Sequence, residues 1–133
     1  MEMRALTLAL SLVAAGCATT GFAKDQIKNI YVADFESEDQ DMCDATDVPI
    51  EYPQAVKFFK RAKVITYHEY EQNYPNLPCK VVGTLQYRGK PCNWEISLAR
   101  TGVITCGKQE TYLVCEDCKD LFTPERPCPK PEN

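Results

Sequence analysis

The sequence predicts a small α+β domain: an antiparallel β-meander of about four to five strands with one helix, stapled by disulfide bonds. Two observations support this fold class. In the second half of the chain, short segments of alternating apolar and polar residues are separated by turn residues, a pattern typical of consecutive antiparallel strands. The 133-residue chain also contains eight cysteines, and disulfide bonds commonly supplement the modest core of so small a domain.

The first 23 residues have the composition of a bacterial export signal, so they are excluded from the fold. Arg4 precedes an uncharged apolar stretch, Ala5–Ala15, which is too short to span a bilayer and has the length of a signal core. Gly21 and Ala23 provide the small residues that ordinary signal peptidase prefers. Cleavage after Ala23 would release a soluble periplasmic or secreted chain that begins at Lys24.

A second cleavage site precedes Cys17. The segment LVAAGC, residues 12–17, resembles the lipobox of bacterial lipoproteins, although Ala14 stands where that pattern prefers Leu. The resemblance implies that Cys17 is acylated and that, because Ala18 follows it, the protein is sorted to the outer membrane and faces the periplasm. Lipidation is favoured because Ala-Gly-Cys after an apolar core is rarer by chance than a small-x-Ala triplet. Cleavage after residue 16 or residue 23 leaves 117 or 110 residues, enough for one domain.

That single domain is expected to span residues 24–122, followed by a proline-rich arm at 123–133. Ile27–Phe35 has the β-branched content of a strand. Asp34–Asp47 then contains seven acids and no base, which is typical of an exposed loop. Calcium binding by Asp39, Asp41 and Asp44 is the alternative, but the run lacks the Gly and the terminal Glu of a calcium loop.

Pro53–Ala62 is the best helix candidate, because a proline is favoured in the first turn of a helix. Lys57, Lys60 and Arg61 share one face of this helix by their spacing. Val64–Tyr67 is β-branched and aromatic, so a strand is expected there.

Four meander strands follow, joined by short turns. The predicted strands are Val81–Tyr87, Asn93–Leu98, Val103–Cys106 and Thr111–Cys115, with turns at Arg88–Pro91, Thr101–Gly102 and Gly107–Glu110.

The cysteines are interpreted as a disulfide framework, because an exported chain enters an oxidising compartment. Cys17 is either acylated or cut away, so an odd number remains and one free thiol or one intermolecular bridge is expected. A turn at Thr101–Gly102 would place Cys106 near Ser97 and out of register with Cys92. The sequence therefore favours a Cys92–Cys115 bridge, with Cys128 joined to Cys106 or Cys118. The candidates for bridging are Cys43, Cys79, Cys92, Cys106, Cys115, Cys118 and Cys128.

The Cys115-Glu116-Asp117-Cys118 motif has three interpretations. A thiol-disulfide redox centre requires a lowered thiol pKa, which the two intervening acids oppose. A zinc site requires four ligands, and only one such Cys-x-x-Cys pair occurs. A structural bridge is therefore favoured, and a periplasmic redox module that uses Cys115 and Cys118 is the alternative.

Composition and motifs restrict the function. The net charge of −4 argues against nucleic-acid binding, which needs a basic surface. His68 is the only histidine, and no nucleophile elbow, phosphate-binding loop or metal-ligand set is evident. The sequence thus favours a non-enzymatic protein-binding module in the cell envelope, of the immunity, inhibitor or accessory type, with no cofactor and with an unknown envelope protein as partner.

A recognition patch is expected on two clusters of side chains. Tyrosine is enriched in binding hot spots, and a basic helix face can bind an acidic partner. Packing of the tyrosines against the sheet and solvation of the basic face are the alternatives. The candidate residues are Tyr67, Tyr70, Tyr74, Lys57, Lys60 and Arg61.

Overall fold

The computed structural model describes residues 21–122, which form a six-stranded antiparallel sheet of order β1-β3-β4-β5-β6-β2. The α+β class is confirmed, but the sheet has more strands than predicted. The strands are β1 (Ile27–Ser37), β2 (Lys63–Ile65), β3 (Cys79–Tyr87), β4 (Lys90–Ser97), β5 (Thr101–Cys106) and β6 (Gln109–Val114). The helices are α1 (Tyr52–Arg61), α2 (Tyr67–Asn73) and the short α3 (Lys119–Phe122), preceded by a 3₁₀ turn at Lys24–Gln26. Most of the predicted signal segment, with Cys17, and the predicted proline-rich arm, with Cys128, lie outside the described residues.

Strands β3 to β6 form the predicted meander. Arg88 and Gly89 make a two-residue turn in which both have positive φ, 50° and 77°, the geometry that matches the twist of a β-hairpin. Gly107, with φ of 61°, begins the turn between β5 and β6. The turn between β4 and β5 lies earlier than predicted, because the Arg100 amide donates to the Ser97 carbonyl oxygen (2.9 Å) and Arg100 adopts φ of 61°.

This earlier turn changes the register and the disulfide pairing. Ile96 pairs with Gly102 and Asn93 with Thr105, so Cys92 lies opposite Cys106 and the two are bridged, with a Cα–Cα distance of 4.6 Å. The predicted Cys92–Cys115 bridge is therefore wrong.

The other two bridges use the remaining described cysteines. Cys43 is bridged to Cys79 and Cys115 to Cys118. The predicted partners of Cys128, Cys106 and Cys118, are thus occupied. If Cys17 is acylated or removed, Cys128 is the odd cysteine that counting predicts.

Helix α2 begins at Tyr67, where a strand was predicted from the sequence. Strand β2 ends at Ile65, and the Thr66 side chain accepts a hydrogen bond from the Glu69 amide (3.1 Å). Thr66 and Glu69 have the spacing of a capping box, the sequence signal for a helix start. The run of β-branched residues obscured that signal.

Helix α1 lies across one face of the sheet and forms the core with it. Pro53 lies in its first turn, and the Glu51 amide donates to the Gln54 side chain (3.2 Å). Its buried side chains, from Ala55, Phe58 and Phe59, pack on the sheet residues of the main hydrophobic cluster, which include Val81, Trp94, Ile96, Ile104 and Leu113. The helix ends where the Lys24 ammonium donates to the carbonyl oxygens of Lys60 and Ala62, both at 2.8 Å, a cation placement that stabilises a helix C-terminus.

Candidate functional site

The second face of the sheet is covered only in part. Helix α2 lies over the strands nearest β6, where the Tyr67 and Tyr70 rings pack on Tyr112 with centroid distances of 5.1 and 4.8 Å. Burial raises the pKa of the Tyr70 phenol, and the Glu95 carboxylate raises it further. Helix α2 therefore closes one half of this face and leaves the half formed by β1, β3 and β4 open.

We call this uncovered half the open face. Its residues alternate along the strands with the core residues, because successive side chains of a strand point to opposite faces. It contains a shallow depression of about 370 Å³. Tyr31 is 63% exposed and pairs with Thr84 across β1 and β3. The open face comprises Tyr31, Lys80, Val82, Thr84, Asn93 and Glu95, and its depression is bounded on the β5 side by Val103 and Thr105.

An ion pair divides the open face from a second depression beside α2. Lys80 Nζ lies 2.9 Å from Glu95 Oε2 and 3.9 Å from Glu36 Oε2. The hydrogen bond to Glu95 raises the pKa of Lys80. The second depression, of about 180 Å³, shares Lys80 and Glu95 with the first and is also lined by Tyr70 and Glu38. The two depressions are thus neighbours separated by the Lys80–Glu95 ion pair, and together they are lined by more carboxylates than cations.

The six residues of the predicted recognition patch do not form one surface. Tyr67 and Tyr70 lie on α2, over the second face of the sheet, whereas the basic residues lie on α1, over the first. Arg61 contacts the Asp120 carboxylate at 2.8 Å and the Asp117 carbonyl oxygen at 3.2 Å. Tyr74 approaches Glu116 at 3.4 Å. Of these tyrosines, Tyr70 borders the open face at a depression lined also by Lys80 and Glu95, whereas the basic residues lie on α1.

Tyr112 contributes to the border of the open face through its phenol. Its hydroxyl hydrogen-bonds to Glu110, and this bond, with some burial, raises the pKa of Tyr112 to about 12. The phenol is therefore a neutral hydrogen-bonding group at physiological pH.

Cys115 and Cys118 are bridged at the end of β6, directly before α3, and both residues have 0% exposure. Because thiol-disulfide exchange needs access to a sulfur, burial of both residues favours a structural role. His68 is an exposed residue of α2.

The acidic loop, which we define as residues 38–47 directly after β1, uses its carboxylates to organise its own backbone. The Asp39 carboxylate accepts from the amides of Asp41 and Met42, and the Asp44 carboxylate accepts from Thr46. Within residues 21–122, no three His, Cys, Asp or Glu side chains form a group that could hold a metal ion.

The alternation in β3 and β4 that creates the open face is visible in the sequence, but the open face itself is not. Thr84 and Asn93 are polar positions of predicted strands, and such positions are usually only solvated. Which of them line a shared surface depends on where α2 lies.

No helix within residues 21–122 has the length and hydrophobicity required to cross a lipid bilayer. Comparisons of the chain with protein-family models, with curated proteins and with solved structures gave no match.

Proposed function

We propose that this protein is an exported bacterial envelope protein that binds another protein through the open face without catalysing a reaction. In this proposal, Cys17 carries a lipid anchor and places the domain on the outer membrane, facing the periplasm. The observation that supports binding most strongly is the asymmetry of the sheet. One face is packed under α1, whereas half of the other presents side chains of mixed chemistry to solvent.

The shape and composition of the open face suit a protein partner better than a small molecule. Small-molecule sites are concave and enclose most of the ligand, whereas the two depressions here are shallow and adjacent. An exposed tyrosine, threonines and an asparagine supply contact area and hydrogen bonds that protein interfaces use. The partner is an inhibited enzyme, a neutralised toxin or an envelope assembly to which this protein is an accessory.

The charge of the open face restricts the partner further. Glu36, Glu38 and Glu95 surround Lys80, and the acidic loop follows β1. Complementary charge at an interface raises the association rate and disfavours like-charged proteins. The proposed partner therefore presents a basic surface.

The periplasmic redox module is the alternative function. It requires Cys115 and Cys118 to exchange disulfides, so it predicts turnover in an insulin-reduction assay and a thiolate pKa well below that of an ordinary thiol. Burial of both cysteines disfavours this exchange, and in the binding proposal the pair is reduced only after unfolding.

The first test of the binding proposal is a charge placed on the open face. Thr84→Arg is expected to lower recovery of the partner at least tenfold, because a basic side chain would oppose a basic partner and lose solvation in the interface. Recovery is measured by crosslinking, detergent extraction and affinity purification from envelopes of the producing bacterium.

Gln109→Arg is the matched control, because Gln109 is exposed at the start of β6 and the substitution adds the same charge. Partner recovery is expected to be unchanged in this variant. Equal recovery with wild type, Thr84→Arg and Gln109→Arg would rule out the open face as the binding surface.

A further inference from the structure

The chain enters the domain at one end of the sheet and is held there. The Phe22 ring stacks on Tyr87 with a centroid distance of 4.4 Å, and the Ala23 amide donates to the Tyr87 hydroxyl at 3.0 Å. Gly21 and Phe22 also line a depression of about 290 Å³ with Arg88 and other residues of the hairpin ends. The described part of the chain therefore begins at this end of the sheet.

The same end of the sheet carries a cluster of cations. The register aligns Ile27 with Tyr87 and Tyr87 with Lys90, so the start of β1 and the turn between β3 and β4 lie together. The bridge between Cys92 and Cys106 aligns the turn between β5 and β6 with them. These elements present exposed side chains that we call the basic end: Lys28, Arg88, Lys90 and Lys108.

Few acids oppose this charge. Asp25 and Glu110 are the nearby carboxylates in sequence, and Glu110 is hydrogen-bonded to Tyr112. Among the residues described by the structure, none of the four cations of the basic end forms an ion pair. The acidic loop follows the opposite end of β1. Positive charge therefore lies at one end of the strands and negative charge at the other.

The distance from the basic end to a lipid anchor is short. Cys17 precedes Gly21 by four residues, and an extended chain advances at most about 3.6 Å per residue, so the two are separated by no more than about 14 Å. Electrostatic interactions decay over about 8 to 10 Å at physiological ionic strength. A lipid on Cys17 would therefore hold Gly21 within at most about two screening lengths of the headgroups, and any separation shorter than that maximum strengthens their attraction for the basic end.

We propose that the basic end docks on anionic phospholipid headgroups and orients the domain on the membrane. The strands then stand away from the bilayer with the acidic loop at the far end, and the open face remains accessible from the side. This inference rests on the proposed lipid anchor and specifies a second contact with the membrane that the anchor alone does not require.

The test uses the purified lipidated protein in two kinds of vesicle, phosphatidylcholine alone and phosphatidylcholine with phosphatidylglycerol in equal parts. Acetylation rates of individual lysines are read by mass spectrometry. On anionic vesicles at low salt, Lys90 and Lys108 are expected to react roughly threefold or more slowly than on neutral vesicles, and high salt should remove the difference. Lys57 and Lys63, which lie elsewhere, serve as internal controls. Equal rates at Lys90 and Lys108 on both vesicles would overturn the proposal.

Charge variants separate docking from the anchor itself. The double variant Lys28→Gln with Arg88→Gln is expected to lose most of the protection at Lys90 and Lys108, because half of the basic end is neutralised. The matched double variant Lys57→Gln with Lys63→Gln should keep the protection. An intact mass that shows an unlipidated chain cleaved after Ala23 would also overturn docking. Neither readout involves the partner, so failure of docking and failure of partner binding are distinguishable.

Discussion

Phe58→Ala is expected to lower the free energy of unfolding by about 3 to 5 kcal/mol, the range for truncating a buried phenylalanine. Phe58 has 0% exposure and lies at the centre of the contact between α1 and the sheet. Its ring packs edge-on against Phe59 and Phe122, at centroid distances of 5.5 and 6.5 Å. A Cβ added to Gly102 would lie 2.8 Å from that ring, so the glycine permits the helix to approach the strand closely.

Urea denaturation followed by tryptophan fluorescence measures this effect, because Trp94 is buried and its environment changes on unfolding. Tyr52→Ala is the matched control, since Tyr52 is an aromatic residue of the same helix and is 60% exposed. We expect it to change the free energy of unfolding by less than about 1 kcal/mol. A Phe58→Ala protein as stable as the Tyr52→Ala protein would contradict the packing of α1 on this face.

Removing the Cys43–Cys79 bridge, with both residues replaced by Ala, is expected to destabilise the domain by about 4 kcal/mol. The two cysteines are separated by 36 positions, so the bridge closes a long loop. A longer closed loop restricts the unfolded chain more, and the bridge therefore stabilises the folded state more. The bridge also fixes the acidic loop to the start of β3, and both cysteines are buried.

The other bridges provide a graded comparison. Cys92 and Cys106 are separated by 14 positions and Cys115 and Cys118 by only 3, so their loss is expected to cost about 3 and about 2 kcal/mol. Urea denaturation of the three double-alanine variants under non-reducing conditions measures this order. If removal of Cys115–Cys118 lowered the free energy of unfolding more than removal of either other bridge, the expected order, which is based on loop length, would be wrong.

The meander was predictable because its strands and turns are specified by residues that are close together in the sequence. Alternating residues define β3 and β4, and Arg88-Gly89 specifies a tight turn. Helix α1 was also predictable, since Pro53 is a helix-start residue. What failed was the turn between β4 and β5, because Thr101-Gly102 has turn-like composition. Gly102 is required there by the close approach of Phe58, a tertiary reason that local sequence does not reveal.

The candidate site was less predictable than the fold for the same reason. The tyrosines were predicted to be recognition residues from composition, but the contact of Tyr67 and Tyr70 with Tyr112 depends on α2 lying over β6. The position of β2 at the far edge, beside β6, carries α2 there. Pairing between strands distant in sequence is set by the assembled core, so the boundary of the open face could not be read from its residues.

Site-specific photo-crosslinking in living cells tests the binding proposal most directly. A photoreactive phenylalanine analogue is placed at Thr84 or Asn93 on the open face, and at Lys57 or Gln109 as controls on other surfaces. We predict one crosslinked species of the same mass from both open-face positions, containing an envelope protein with a basic surface, and no such species from the controls. Absence of that species at Thr84 and Asn93, or equal yield at all four positions, would contradict the proposal that the open face binds a protein partner.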